Sequence, residues 1–226
     1  PKTVEDKEKT EADREEALKQ VADVYTLKKE YKENRVDLIA SIFTAVEEVK
    51  NEVAKEEVDK ETIPTEEETQ AKSTELVQRL KDKLTEEVNK QLSDDVYQAL
   101  LNTSDAQLTV AKDTTLSAIN DIMSQQIAAS EVENARNEVE RTVQLTAMST
   151  DLKVAAISLA RFAITQNYFY DPVKTEEQRQ KALEEVEPTK ILQGQVLVEQ
   201  GDLVDQEVYR NIQLSGLLTS DQSVTP

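Results

Sequence analysis

The sequence predicts a mainly α-helical protein: an elongated antiparallel helical bundle followed by a small C-terminal α+β module with a short β-hairpin and a helix. The first observation is composition, because 38% hydrophobic and 32% charged residues are typical of long amphipathic helices. The second is that all three glycines lie between residues 194 and 216, so a long glycine-free stretch precedes them. The third is that apolar residues recur at helical spacing through that stretch.

Apolar stripes predict the first two helices of the bundle. One long helix is expected from about residue 26 to residue 58. The second is expected to begin after Pro64, where Thr65 and Glu68 form a capping box. Its apolar stripe continues to about residue 92.

The remaining helices of the bundle are shorter or interrupted. A short helix capped by Ser93 or Asp94 is expected next. Residues 116–147 carry two stripes that differ in phase, which predicts either one helix with a kink near Ser130 or two helices. Residues 151–166 are apolar on most faces, so this helix is expected to be the most buried one.

Two segments at residues 6–21 and 171–186 repeat each other. Eight of their sixteen aligned positions are identical at a constant offset of 165. The pattern predicts helix N-caps at Thr10 and Thr175. Two interpretations are open: two similar capped helices with no further relation, or two helices that pack as a pseudo-symmetric pair with the bundle inserted between them. The identical pairs are Asp6/Asp171, Lys9/Lys174, Thr10/Thr175, Glu11/Glu176, Arg14/Arg179, Ala17/Ala182, Leu18/Leu183 and Val21/Val186.

Charged residues follow each predicted cap. Glu11 and Glu176 fall in the first helical turn, where the helix dipole favours an anion. Each has an arginine three residues later, Arg14 or Arg179, so we expect an ion pair on each helix.

The residues after position 188 have a different sequence pattern from the helical bundle. After residue 188, two short strands with tight turns at Gly194 and Gly201 are expected, and then a helix that ends at Gly216. The predicted divisions are 1–25 (first repeat helix, packing with 171–188), 26–166 (helical bundle), 167–219 (second repeat helix with the small module) and 220–226 (a linker).

Two absences limit the chemistry. The chain has no histidine and no cysteine, which excludes the Ser-His-Asp triad, the common zinc sites, thiol nucleophiles and disulfides. The formal charge of −19 argues against binding nucleic acid or anionic lipid. We therefore expect a fragment that is not an enzyme and holds no metal or other cofactor.

Few residues are candidates for ligand binding. Tyr168, Phe169 and Tyr170 concentrate three aromatic rings, which either form a stacking platform for a ligand or pack where the buried helix meets the second repeat. The glutamate clusters at 66–68 and 184–185 lack the alternating ligands and turn glycine of a calcium loop, so we interpret them as solvated helix faces.

Motifs around the second repeat point to a family. They are Tyr170-Asp171-x-x-Lys-Thr-Glu-x-x-Arg-x-x-Ala-x-x-x-Val186-x-Pro188, then Gly194-x-Val-Leu-Val-x-x-Gly201 and Leu214-x-Gly216-Leu217. Together they resemble the extracellular domain of the seven-transmembrane receptors with an intracellular HD hydrolase, a family of membrane-bound cyclic di-AMP phosphodiesterases. The resemblance implies a domain outside a bacterial plasma membrane, with residues 220–226 leading toward a transmembrane region and a cytoplasmic catalytic domain beyond it. The histidines of that catalytic domain have no counterpart here.

The resemblance implies a sensory or regulatory role. The expected partners are the parent protein's own transmembrane bundle and an unidentified extracellular ligand or envelope component, with a homodimer as a further candidate. The alternative is a structural helical module for interaction or dimerisation that has no ligand.

Overall fold

The computed structural model describes residues 3–57 and 62–192. These residues are mainly α-helical, which confirms the predicted fold class. The predicted turns and cap at Gly194, Gly201 and Gly216 lie outside the described residues. In chain order the elements are β1 (Thr3–Glu5), α1 (Lys7–Lys19), β2 (Tyr25–Leu27), α2 (Glu30–Glu56), α3 (Glu66–Lys83), α4 (Glu86–Gln91), α5 (Asp94–Asn102), α6 (Asp105–Met123), a 3₁₀ turn (Ala129–Glu131), α7 (Val132–Gln144), α8 (Thr150–Ala163), β3 (Tyr168–Tyr170), α9 (Pro172–Glu184) and β4 (Lys190–Leu192).

The chain divides into two compact units. We call the unit of Pro1–Tyr25 with Tyr170–Pro226 the terminal unit, and the unit of Thr26–Phe169 the helical body. The strands form two two-stranded sheets, in which β1 pairs with β4 and β2 pairs with β3. The strand expected to begin a C-terminal hairpin is β4, and its partner within the described residues is β1 at the other end of the sequence.

The prediction of a continuous helix from residue 66 to residue 92 is wrong, because α3 ends and α4 begins within it. Leu84 has an extended backbone, with φ −111° and ψ 165°. Thr85 then caps α4 by accepting a hydrogen bond from the Val88 N–H, at 3.3 Å. The Lys81 carbonyl near the end of α3 accepts hydrogen bonds from the Leu84 N–H at 3.1 Å and from the Asn89 side-chain amide at 3.0 Å, so the interruption leaves it satisfied.

Other boundaries also differ from the predicted ones. Helix α2 begins at Glu30 and not near residue 26, because the residues before it form β2. The two phase-shifted stripes form two helices, α6 and α7, separated by the 3₁₀ turn. Of the two alternatives that the sequence allows, one kinked helix or two helices, the structure shows the second.

A buried asparagine holds the connection between α6 and α7. Asn167, 1% exposed, accepts a hydrogen bond from the Ile127 N–H at 2.7 Å. Its amide donates to the carbonyls of Met123 at 3.0 Å and Gln125 at 2.8 Å. Because one side chain satisfies three backbone groups, this irregular segment remains buried without unpaired polar atoms at those positions.

The core of the helical body is apolar. Helix α8 has 6 buried residues among its 14, the largest share of any helix in the body, as its sequence predicted. Its last carbonyls, of Phe162 and Ala163, accept hydrogen bonds from the guanidinium of Arg35 at 2.6 Å and 2.8 Å. That guanidinium also lies 5.1 Å from the Phe162 ring, and burial lowers the pKa of Arg35. Arg136 also donates to the carbonyl of the C-cap residue Ile164 at 3.3 Å, so two arginines bind the C-terminal end of the most buried helix.

Candidate functional site

The terminal unit contains two matching halves. The helices α1 and α9 have the same length and begin 165 residues apart, at Lys7 and Pro172. The offset extends beyond the sequence repeat, because β3 occupies the positions equivalent to β1, and β4 those equivalent to β2. We call the described parts of this unit, residues 3–25 and 170–192, the paired repeat; within it α1 and α9 are in contact.

The two halves exchange equivalent backbone hydrogen bonds. The Asp6 N–H donates to the Thr189 carbonyl at 2.6 Å, and the Asp171 N–H donates to the Val24 carbonyl at 2.7 Å. Asp6 and Asp171 are equivalent positions of the repeat, and so are Val24 and Thr189. Each helix start is therefore bound to the segment that follows the other helix.

Two threonine side chains add equivalent hydrogen bonds between the two halves. The Thr10 hydroxyl accepts a hydrogen bond from the Thr189 N–H at 3.1 Å. The Thr175 hydroxyl accepts one from the Val24 N–H at 2.9 Å and donates to the Asp171 carbonyl at 2.7 Å. The identical threonines of the sequence repeat thus hold the halves together by reciprocal contacts.

The predicted N-caps at Thr10 and Thr175 are wrong by one helical turn. Asp6 and Asp171 are the caps, and their carboxylates accept from the backbone N–H groups of Lys9 and Lys174 at 3.0 Å and 2.9 Å. The threonines lie inside α1 and α9, where they are 5% and 2% exposed. A buried hydroxyl needs a partner, and the opposite half supplies it.

Only one of the two expected ion pairs forms within the described residues. Glu11 and Arg14 approach to 3.9 Å at an exposed position of α1. On α9, the Glu176 carboxylate instead accepts a hydrogen bond from the Gln180 amide at 2.9 Å. Arg179 makes no corresponding pair with Glu176 in the part of the chain that the structure describes.

The three aromatic candidates take part in different contacts. Tyr170 packs edge-to-face against Tyr25 at 5.9 Å between ring centroids, and both rings are about half exposed. Phe169 packs in the same way against Tyr31 at 5.4 Å. The backbone N–H of Tyr168 donates to the Ile127 carbonyl at 3.1 Å. A ligand-binding role for these three residues stays a prediction.

A cleft of about 1020 Å³ lies in the helical body, between α5 and α8. Its walls carry hydroxyl and amide groups, including Ser93, Asn102 and Ser158, above apolar side chains such as Leu152. The carboxylates of Asp95 and Asp151 supply its charge. Sequence inspection did not find this cleft, because its two walls are about fifty residues apart and share no motif.

Acidic and basic side chains also form a network on the facing surfaces of α2 and α3. Arg79 contacts Glu56 at 2.9 Å and Glu75 at 2.7 Å, and its hydrogen bonds lower the pKa of both carboxyls. Lys83 pairs with Glu52 at 2.8 Å, which raises the pKa of the lysine. These pairs are solvent-exposed and do not enclose a cavity that could hold a substrate. We therefore interpret them as contacts that join the two helices. Within residues 3–57 and 62–192, no three acidic side chains converge as a metal site.

Comparison with known proteins decides the family. Residues 1–219 match the family model described as "7TM-HD extracellular". This chain belongs to that family. It is 40% identical over 228 residues to the cyclic-di-AMP phosphodiesterase PgpH of Bacillus subtilis (strain 168), and 32% identical over 236 residues to PgpH of Listeria monocytogenes serotype 1/2a (strain 10403S). No solved structure matches the chain.

The match covers nearly all of this chain but only part of each relative. It spans 30% of the length of the first relative and 32% of the second. The matched region is the extracellular domain, which is not the catalytic part of these phosphodiesterases and which indicates an extracytoplasmic location in a membrane protein. Among the helices that the structure describes, none is both long and apolar enough to cross a bilayer.

Proposed function

We propose that this chain is the extracytoplasmic sensory domain of a phosphodiesterase in a bacterial plasma membrane, whose cytoplasmic HD domain hydrolyses cyclic di-AMP. The names of the two relatives and the extracellular family support this proposal. The signal would pass from this domain through the parent protein's own transmembrane region.

The reciprocal hydrogen bonding in the paired repeat carries the proposal. The chain passes from the terminal unit to the helical body after Tyr25 and returns after Phe169. Val24, next to the first crossing, is bound to the start of α9, and Asp171, next to the second, is bound to the segment after α1. Any change at the crossings therefore acts on both halves of the paired repeat together.

A ligand or envelope partner bound to the helical body would shift the balance between two arrangements of the paired repeat. A ligand can shift such an equilibrium only by its difference in affinity for the two arrangements. A coupling free energy of about 1–3 kcal/mol corresponds to a change of roughly 5-fold to 150-fold. This range is enough to alter hydrolysis in the cytoplasm measurably.

The test uses the full-length parent protein in membranes. In one variant, residues 29–166 are replaced by a short Gly-Ser linker; the Lys28 N–H and the Asn167 carbonyl are 2.8 Å apart, so a few residues span the gap. In a second variant, Thr10→Val is combined with Thr175→Val, which weakens the reciprocal contacts and leaves the helical body intact. We expect a several-fold change in cyclic di-AMP hydrolysis in each variant.

Thr115→Val in the same parent protein is the matched control, because Thr115 is buried in the helical body and its hydroxyl has no hydrogen-bond partner among the described residues. Unchanged hydrolysis in the linker variant and in the double variant would overturn the proposed regulation. The alternative, a dimerisation module without a ligand, would instead show a concentration-dependent dimer that both variants retain.

A further inference from the structure

We infer that the cleft between α5 and α8 is a binding site for a short cationic peptide in an extended conformation. The inference names a ligand class for the proposed sensor and therefore rests on the proposed function.

The dimensions of the cleft fit a peptide. Its walls run from Ser93 to Asn102 on α5 and from Ser149 to Ser158 on α8. At a rise of about 1.5 Å per residue, each wall is roughly 14 Å long. An extended chain advances about 3.3 Å per residue, so about four residues fit along the cleft. Its volume of about 1020 Å³ is at the upper end of ligand sites, which leaves room for side chains.

The negative charge of the cleft favours a positively charged ligand. Asp95 and Asp151 are exposed on opposite walls, and no lysine or arginine of the described residues lines the cleft. Phosphates, nucleotides and carboxylate-rich ligands would therefore meet repulsion without a counter-charge. Amino groups on a peptide could form charge-assisted hydrogen bonds with both aspartates.

The remaining lining suits a peptide backbone. Ser93 and Ser149 occupy N-cap positions but make no capping hydrogen bond from their side chains, so their hydroxyls are not committed to their own helices. Amide groups, such as that of Asn102, add further donors and acceptors. Val154 lies on the α8 wall with its side chain 57% exposed, which offers an apolar contact to alternate side chains of the peptide. In the described lining no aromatic ring provides the stacking surface that a nucleobase would use.

The test is a titration of the 226-residue chain with the tetrapeptide Ala-Lys-Ala-Lys, followed by amide chemical shifts. We expect saturable binding, with shifts concentrated on α5, α8 and the loops before them. Asp95→Asn combined with Asp151→Asn should weaken the affinity about tenfold or more, because two charge-assisted hydrogen bonds are lost. Ala99→Leu places a larger side chain in the lining and should weaken binding with no change in charge.

The matched control is Asp113→Asn combined with Asp121→Asn. These aspartates are exposed on α6 outside the cleft, and the double substitution changes the net charge by the same amount. Equal weakening in the control would show that the peptide responds only to the overall charge of −19, which would overturn the inference. Absence of saturable binding, or preferential binding of Ala-Glu-Ala-Glu or a chitin oligosaccharide, would overturn it as well. Far-ultraviolet circular dichroism confirms that each variant is folded.

The outcome is separable from the proposed function. If the tetrapeptide binds the cleft but replacement of residues 29–166 leaves cyclic di-AMP hydrolysis unchanged, the cleft is a binding site and the proposed sensory role is wrong. If the replacement changes hydrolysis but the tetrapeptide does not bind, the sensory role stands and the assignment of a cationic peptide fails.

Discussion

The paired repeat and the helical body are held together by different kinds of interaction. Every buried apolar side chain that the structure describes belongs to the helical body, between Ile39 and Ile164. Among residues 6–25 and 170–190 of the terminal unit, whose side chains the structure describes, the buried residues are all polar: Asp6, Thr10, Thr175 and Thr189. The helical body is stabilised mainly by apolar burial, whereas the buried contacts described within residues 6–25 and 170–190 are hydrogen bonds.

This difference matters because the two interactions depend differently on geometry. Apolar burial is non-directional and roughly proportional to the apolar area removed from water. Hydrogen bonds weaken steeply when distance or angle changes, so the exchanged contacts allow few arrangements. A region with few allowed arrangements would suit the two discrete states that the proposed regulation needs. The bulk of the stability can come from the other region.

The largest expected effect is the creation of a cavity in the helical body. Leu159 on α8 is fully buried, and Leu159→Ala should lower the free energy of unfolding by about 2–5 kcal/mol. Leu145 is 89% exposed, so Leu145→Ala, which deletes the same atoms, should change it by less than about 0.5 kcal/mol. Urea denaturation followed by circular dichroism measures both. Similar losses in the two variants would show that α8 does not pack as described.

The next effect concerns the exchanged hydroxyls. Thr10→Val leaves the buried Thr189 N–H without its acceptor, and Thr175→Val leaves the partly buried Val24 N–H without its acceptor, at a cost of about 1–3 kcal/mol per substitution. Thr175→Val should cost more, because that hydroxyl also donates to the Asp171 carbonyl. Hydrogen exchange should become faster at the Val24 and Thr189 amides, and urea denaturation gives the free energies.

Thr115→Val provides the control for that pair. Thr115 is also fully buried in a helix, but its hydroxyl has no partner within the described residues. The same substitution there should leave stability unchanged or raise it, because no hydrogen bond is lost. A loss at Thr115 as large as at Thr10 would mean that the valine side chain, and not the hydrogen bond, is responsible.

These threonines also show where sequence reasoning reached its limit. Asp6 and Thr10 are both good N-cap residues, and each precedes a helical segment. The local pattern does not distinguish between the two residues as N-caps. The difference comes from Thr189, 179 residues from Thr10, because its backbone N–H donates a hydrogen bond to the Thr10 hydroxyl. The same reasoning explains the missed interruption after α3, where the apolar stripe continues in phase through Leu84 although the backbone there is extended.

Other features were predictable because they depend on short-range spacing. The apolar stripes located the helices, and the composition of residues 151–166 marked α8 as the most buried helix of the body. The threonine cap of α3 at Thr65 also follows from its local sequence, since its hydroxyl accepts from the Glu68 N–H at 3.2 Å. The cleft was not predictable, since no local pattern relates Asp95 to Asp151.

A smaller effect is expected at high pH from Tyr97 on α5. Burial raises the pKa of Tyr97 from 10.0 to about 12, and Asp94 adds to the increase. The unfolded chain therefore releases this proton at lower pH than the folded chain does, so stability should fall as the pH rises from 10 to about 12. Tyr97→Phe should remove that part of the decline. At neutral pH it should cost about 1 kcal/mol, because the hydroxyl donates to Asn89 at 2.8 Å.

Tyr170→Phe is the matched control, since the Tyr170 ring is 49% exposed. Urea denaturation at several pH values between 9 and 12 measures the decline in each protein. If Tyr97→Phe and Tyr170→Phe leave the same dependence on pH, the Tyr97 hydroxyl is not buried in the folded state.

The smallest expected effect compares identical residues in the two halves of the paired repeat. Arg14 forms an ion pair with Glu11, with its side chain 47% exposed, so Arg14→Gln should lower the free energy of unfolding by about 0.2–0.5 kcal/mol. Arg179 has the equivalent position but Glu176 is bound to Gln180, so Arg179→Gln should cost less. The difference should shrink in 1 M salt, because screening weakens an exposed pair and leaves a neutral contact almost unchanged. Equal losses at low salt would mean that the repeat is symmetric in its surface charges as well as in its buried hydroxyls, and that Arg179 has a partner equivalent to Glu11.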